Sequence, residues 1–401
     1  MLASFDFNKP YLCVPQLIEQ PTWGGEYIIE QKGWKGDKRL LGKKFGQSYE
    51  LYGETNLLLD NIDLSGEIVA TVGWNGGEEV ESINKDHAVV ALADAIKMNP
   101  EAVLGTRSLA QYGNVMPLLL KFTQAKGNSF QLHVQPKYNG SWEPKPESWY
   151  YFEPGILTAG IREGNAIGEY RKACEKILDY IQKLSKRVKD GKLKVDKARV
   201  DAQAFIRDVD VYQFVNVLEA QTDELIDLSL GGVHHSWEED DQKYPHGNIL
   251  YEIQLDVEDL VSSIRCFDKG KIKDDGSIRP IHIEAYFNNL DIDPEHNRIE
   301  FLRRLPKVLN NGEEGKVVQL LSTNYYCMSK YVVNNHFENK YTNTDDSFHH
   351  LFVKLGKVDV QTVGGKVTVS AGHSCFIPAA AGSYSLDCGG KLSEVIVSYI
   401  N

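Results

Sequence analysis

The chain has 401 residues, 42% of them hydrophobic, and a formal net charge of −12 at pH 7. That length can bury the core of about two ordinary domains, and the acidic balance excludes nucleic acid and anionic membrane as general partners, though not a phosphorylated substrate in a local basic pocket. Six scattered cysteines with no Cys-x-x-Cys read as free thiols of a reducing compartment; with no signal-peptide pattern and no apolar run of membrane-spanning length, they predict a soluble, cytoplasmic protein.

Frequent Tyr, Phe and Gly and many β-type runs favour a mainly β protein. Near the start, Pro21-Thr22-Trp23-Gly24-Gly25 reads as a turn and Phe45 to Leu51 as a short strand. From Ile83 to Asn99, apolar residues at Val89, Val90, Leu92, Ala95 and Ile96 predict a helix. Pro100 stops it, and Glu101 to Gly105 reads as one more turn closed by glycine. Strands and turns alternate from Met116 to Phe152, with one turn at Tyr138-Asn139-Gly140. Between 161 and 210 the pattern changes. Ile167, Tyr170, Cys174, Ile177, Ile181 and Leu184 recur at steps of three and four. A polar break at Lys189 to Lys192 precedes a second helical run from Val195 to about Asp208, so a helical insert interrupts a β domain. Its lysine and arginine cluster (Lys183, Lys186, Arg187, Lys189, Lys192, Lys194, Lys197) reads as a solvated face. Strands resume from Val215 to Ile264. From about 315 onward, six segments between Val317 and Tyr399 read as strands: Val317 to Leu321, Tyr325 to Val332, His349 to Leu355, Lys366 to Ser370, Ser374 to Pro378 and Glu394 to Tyr399.

The chemistry concentrates between Asn128 and Glu153. On a strand from Ser129 to Val134, Ser129, Gln131 and His133 share one face, while Phe130, Leu132 and Val134 share the other. A polar face directly after the apolar run Pro117 to Phe122 needs a reason, and a metal is one. Glu147 follows on the next apparent strand, and the pair His234-His235 comes much later, after Leu230-Gly231-Gly232-Val233. Gln, His, Glu and His form a mixed nitrogen and oxygen set suited to a zinc-like ion. Arg265 and Lys145 are candidate cations, and Glu252 a candidate carboxylate, on neighbouring strands.

At these residues the chain resembles the type I mannose-6-phosphate isomerases, zinc-dependent cupin enzymes, in their shorter bacterial form. The family's Ser-x-Gln-x-His-Pro strand is matched by Ser129-Phe130-Gln131-Leu132-His133, and its Gly-Lys-x-Glu-x-Trp-Tyr strand by Lys145-Pro146-Glu147-Ser148-Trp149-Tyr150. Its Pro-Ala-Gly-Thr-x-His turn is matched by Gly231-Gly232-Val233-His234, and its Leu-Glu-Ile-Gln strand by Tyr251-Glu252-Ile253-Gln254. Trp23-Gly24, the strand Gly46-Gln47-Ser48-Tyr49-Glu50-Leu51, Arg265-Cys266-Phe267-Asp268-Lys269-Gly270 and Arg279-Pro280-Ile281-His282-Ile283-Glu284 are similar to further family segments. The chain departs from the family where the proline after the first histidine is delayed to Pro136, where Asp223 replaces the first Gly of the cupin half-motif and Ser229 its Pro, and where the spacing from Glu252 to Arg265 is a few residues longer. That insertion falls in Asp256 to Val261. The half-motif spacing selects His234 as ligand over His235, which reads as a surface histidine or one behind the ligands. His282 reads as a core histidine on a strand. A second half-motif at Gly372 and Pro378 places Tyr384 where a ligand histidine would stand.

The resemblance implies two cupin-type jelly rolls: a catalytic domain over 1–310 carrying the helical insert at about 161–210, and a metal-free cupin-like domain over 311–401. It implies one zinc per chain on Gln131, His133, Glu147 and His234, a phosphate-contacting Ser129, Lys145 beside the substrate and a catalytic Arg265. The expected activity is interconversion of mannose 6-phosphate and fructose 6-phosphate through an enediolate by a monomer. Lys145 and Glu252 are candidates for the proton carrier, with His235 a remote third. The alternatives are a cupin that binds a sugar or sugar phosphate without turnover and an isomerase of another sugar.

Overall fold

A computed structural model of the protein describes residues 5–74, 81–84, 86–127, 129–137, 140–236, 240–268, 271–340 and 346–401. Asn128, Tyr138 and Asn139 of the expected turn, and Lys269-Gly270, lie outside the described residues. The architecture is mainly β, as expected. Two compact units interleave in sequence: one takes 1–124, 251–256 and 304–401, the other 125–250 and 257–303.

The first unit contains a nine-stranded antiparallel sheet that joins Tyr11–Val14, Asn56–Leu58 and Val89–Ala91 to strands of the C-terminal third. The C-terminal strands form where the alternation placed them: Gly315–Ser322, Cys327–Val333, His349–Leu355, Gly365–Ser370, Ser374–Ile377 and Ser393–Tyr399. Lys357–Thr362, which was not expected, obeys the same rule: Val358 and Val360 are fully buried while Lys357 and Gln361 face water. The helix expected over 83–99 is a correction. Only Leu92–Met98 is helical; Glu81–Ile83 and Val89–Ala91 are strands. Val89-Val90-Ala91 fits either period, and pairing with Asn56–Leu58 decided for the sheet. Pro100–Leu104 is a separate helix, with Pro100 in its first turn, the Asn99 side chain accepting from Ala102 N, and Gly105 at its end.

This unit also buries an ion pair. Lys32 Nζ lies 2.7 Å from Glu50 Oε1, both side chains wholly enclosed, and also donates to Gly372 O at 2.6 Å. Ser48 and Ser374 hydroxyls donate to the two carboxylate oxygens at 2.6 and 3.0 Å.

In the second unit the strands are β1 (Phe130–His133), β2 (Glu147–Tyr151), β3 (Gly155–Ile161), β4 (Val215–Ala220), β5 (Leu225–Leu228), β6 (Gly232–Ser236) and β7 (Ile264–Phe267). Five make one sheet in the order β4-β3-β6-β1-β7, and β2 pairs antiparallel with β5. The helical insert is α1 (Ile167–Lys189) and α2 (Val195–Val209). It connects β3 to its antiparallel neighbour β4, so it extends a hairpin without disturbing the sheet. Tyr170, Cys174, Ile177, Ile181 and Leu184 are buried against the outer face of that sheet, with Phe130, Leu132 and Val233. The basic cluster stays in water, part of it in exposed i,i+4 pairs such as Lys183–Asp179 and Lys197–Asp201. A short helix α3 (Asp259–Ser262) fills the stretch where the Glu252–Arg265 spacing is extended. His282 is not on a strand: it precedes α4 (Ile283–Asn288), half-buried, its backbone N donating to Arg265 O at 2.7 Å. Six consecutive residues from Ile283 prefer the helix once Pro280 has removed a ladder donor.

Candidate metal centre

Three neighbouring strands bring the polar face of β1 into register with its partners. His234 of β6 stands opposite Gln131, and Arg265 of β7 stands opposite Gln131 on the other side. Directly opposed residues on adjacent strands point the same way, so His234, Gln131 and Arg265 form one row on one face. His133 lies two residues along β1 on that face, as the period-two reading required. Glu147 comes from β2. Its Oε1 is 3.0 Å from His234 Nε2 and its Oε2 3.4 Å from His133 Nε2, and Gln131 Nε2 is 2.9 Å from His234 Nε2. His133, Glu147 and His234 are at most 3% exposed, and their donor atoms lie within 4.8 Å of one another.

The imidazole tautomers follow from their outer partners. His133 Nδ1 is 2.9 Å from Ser262 O, and His234 Nδ1 is 3.1 Å from Gly232 O. A carbonyl can only accept, so both Nδ1 atoms carry the proton and both Nε2 lone pairs face the cluster. Burial pushes the His133 imidazole down, keeping it neutral against the pull of Glu147. Burial pushes the Glu147 carboxyl up, and only protonation of the two imidazoles beside it would pull it well below the usual carboxylate range. His133 Nε2 and Glu147 Oε1 are buried and make no hydrogen bond among the described residues. A buried carboxylate facing two lone pairs is an arrangement that a cation completes. Zinc–nitrogen and zinc–oxygen bonds of about 2.0–2.2 Å in a tetrahedron separate the donors by about 3.4 Å, close to the distances observed here. The residues therefore fit zinc. Gln131 joins as a fourth donor once its amide is turned to present Oε1, an orientation indistinguishable in shape from its reverse.

The turn between β5 and β6 explains how His234 arrives there. Gly231 has φ +80°, and a Cβ on it would stand 2.5 Å from His133 O. The side-chain-free residue is required where the backbone crosses the end of β1. Asp223, where the cupin half-motif has glycine, keeps the left-handed conformation at φ +68°. His235 points to the other face, as expected, but it is not at the surface. It is fully buried, stacked on Phe130 with ring centroids 4.4 Å apart. The sheet face it lands on is covered by α1 and α2, a fact its sequence neighbours do not reveal.

Around the four donors, Ser129 is buried with its hydroxyl 3.4 Å from Gln131 Oε1. Arg265 is buried, and its Nε makes no hydrogen bond with the described residues. Burial and then the nearby Arg279 press its pKa down, while Asp259 and Asp268 oppose them. Arg279 itself is engaged by Asp268 through two bonds. Lys145 is buried and donates to Asp259 Oδ1 at 2.6 Å. Glu252 belongs to the first unit. There it accepts from Thr123 Oγ1 at 2.6 Å, with Lys121 Nζ 3.6 Å away. Lys121 was missed from sequence; the signal was a lysine inside an otherwise apolar strand, where it is buried and donates to Gln254 Oε1 at 2.9 Å. Ser262 O and Gly232 O were invisible, because any residue carries a carbonyl. In the C-terminal half-motif, Tyr384 takes the ligand position as a buried side chain whose hydroxyl is 3.0 Å from His349 Nδ1.

No protein-family model and no curated protein matches the sequence. Among solved structures the chain is similar to the mannose 6-phosphate isomerase of Bacillus subtilis, at 15% identity and a TM-score of 0.64 over 97% of this chain and 99% of that one. It is also similar to the Salmonella typhimurium mannose 6-phosphate isomerase bound to its substrate fructose 6-phosphate and zinc, at 13% identity and a TM-score of 0.63 over 98% and 99%. A zinc-bound mannose 6-phosphate isomerase matches equally, at 13% identity and 0.63. At these identities the likeness is one of fold.

Proposed function

We propose that this chain is a zinc-dependent aldose–ketose isomerase interconverting mannose 6-phosphate and fructose 6-phosphate. The observation that carries the reading is the convergence of Gln131, His133, Glu147 and His234 from β1, β2 and β6, next to a buried arginine whose Nε makes no hydrogen bond among the described residues. The fold shared with isomerases that bind zinc and fructose 6-phosphate supports it. In this reading the protein is a monomeric cytoplasmic enzyme with one zinc per chain, built from two cupin-type jelly rolls of which only the first holds metal.

Isomerisation moves a proton between two adjacent carbons, and the barrier lies in the negative charge that develops on the two oxygens between them. Zinc, when bound, supplies Lewis-acid stabilisation of that charge. Arg265 supplies a fixed cation beside the same oxygens. Its place opposite Gln131 keeps it within one strand spacing of the proposed metal ligands, and its Nε, which makes no hydrogen bond among the described residues, is left for substrate. Ser129 contacts the phosphate. Lys145 lies beside the substrate and is one candidate for the proton carrier; Glu252 is the other, separable by comparing Lys145→Met with Glu252→Gln.

The experiment is a coupled assay of mannose 6-phosphate conversion, run on the protein as purified, after chelation and after zinc is restored. Turnover that disappears and returns with zinc is the expected result. Zinc-loaded protein that binds sugar phosphate without converting it would replace this reading with a non-catalytic cupin.

A further inference from the structure

The short helix α3 sits in the stretch that lengthens the Glu252–Arg265 spacing, and it touches the candidate centre twice. Its first residue, Asp259, accepts from Lys145 Nζ at 2.6 Å. Its last, Ser262, offers the carbonyl that holds His133 Nδ1 at 2.9 Å. Between them, Val261 O accepts from Glu143 N at 2.9 Å, tying the helix to the segment that leads into Lys145. The helix is thus pinned at both ends and in the middle, although its outer side is open: Leu260 is 80% exposed.

Lys145 has an unusual setting. Its side chain is 4% exposed, and Asp259 is its only hydrogen-bond or ion-pair partner among the described residues. Asp259 in turn is 44% exposed, so the partner reaches in from the rim. A buried ammonium on a four-carbon stem has many rotamers, and one charged contact at 2.6 Å selects among them. Ser263 Oγ, 3.3 Å from the same Oδ1, steadies the carboxylate.

We propose that Asp259 is a positioning residue: from α3 it fixes the Lys145 ammonium for work on the substrate, while the same four-residue helix fixes the metal-ligand imidazole of His133. The catalytic consequence rests on the isomerase reading above; the structural link between Asp259 and Lys145 does not. The two are tested apart. Amine acylation of the zinc-loaded protein by an N-hydroxysuccinimide ester, followed by peptide mass spectrometry, reports how tightly Lys145 is held without any turnover. In Asp259→Ala and Asp259→Asn, Lys145 is expected to label at least about fivefold faster than in wild type, with other lysines unchanged. In the isomerase assay both variants should lose about tenfold or more in kcat while KM moves less than about threefold, because misplacement of a catalytic group acts on the chemical step. Asp259→Glu, which keeps the charge, should recover most of kcat. Zinc content and melting temperature should match wild type, which a collapse of α3 would not allow.

Unchanged labelling of Lys145 in both variants overturns the proposal. So does full kcat with a lowered KM, which would make Asp259 a competitor for the substrate's anion. If wild type converts no mannose 6-phosphate, the isomerase reading fails, and the labelling contrast alone decides whether Asp259 holds Lys145.

Discussion

Lys32→Met is the most exacting test of the energetics of the first unit. The substitution keeps most of the hydrocarbon volume and removes the ammonium, leaving the Glu50 carboxylate at 0% exposure with, among the described residues, the Ser48 and Ser374 hydroxyls as its remaining side-chain donors. Removing one member of a buried ion pair costs about 3–5 kcal/mol. The deficit relative to wild type should therefore be about 4 kcal/mol at pH 7. A thermal melt reads this as a drop of about 8–16 °C at pH 7, using about 2–4 °C per kcal/mol for a unit of this size. Lys32→Met with Glu50→Gln should recover most of the loss, because a neutral amide still pairs with both hydroxyls. A drop below about 3 °C at pH 7 would refute the reasoning.

The same unit predicts acid sensitivity. Burial pushes the imidazoles of His350 and His373 down to about 3. Between that value and 6.5 the unfolded chain binds more protons than the folded one, so stability rises with pH across the window and is lost on acidification. Each histidine contributes a slope of about 1.4 kcal/mol per pH unit; His350→Asn should flatten the dependence of melting temperature on pH, and an unchanged slope would contradict it. At the candidate centre, His234→Ala should lose stoichiometric zinc by atomic absorption, whereas His235→Asn should keep it and lose a few degrees of melting temperature from the broken stack on Phe130. Zinc retained by the His234 variant would sink the ligand assignment. Gly231→Ala forces a left-handed non-glycine and a Cβ into His133 O, so it should cost about 1–3 kcal/mol and lower zinc affinity. A variant that melts and binds like wild type would show that the turn has other room.

What the sequence determined by itself was local. Period-two alternation placed Gln131 and His133 on one face and marked the strand they share, because side-chain direction on a strand depends only on residue parity. Period 3.6 found α1 and α2, since long amphipathic runs have no competing reading. The resemblance at Lys145-Pro146-Glu147 and Gly231 to His234 chose the remaining candidate ligands, and it did so where the glycine's backbone freedom is needed. Short ambiguous segments went astray: Val89 to Ala91 became a strand and Ile283 to Asn288 a helix, because for three to six residues the partner strand or packing face outweighs propensity. Tertiary structure alone decided the rest. It set the register that lines up His234, Gln131 and Arg265, the burial of His235 under the helical insert, and the Ser262 and Gly232 carbonyls that fix both imidazoles. It also brought Asp259 to Lys145. These are relations between residues as far apart in the chain as Gln131 and Arg265, 134 positions, carried by backbone groups every residue possesses, and no spacing in one sequence encodes them.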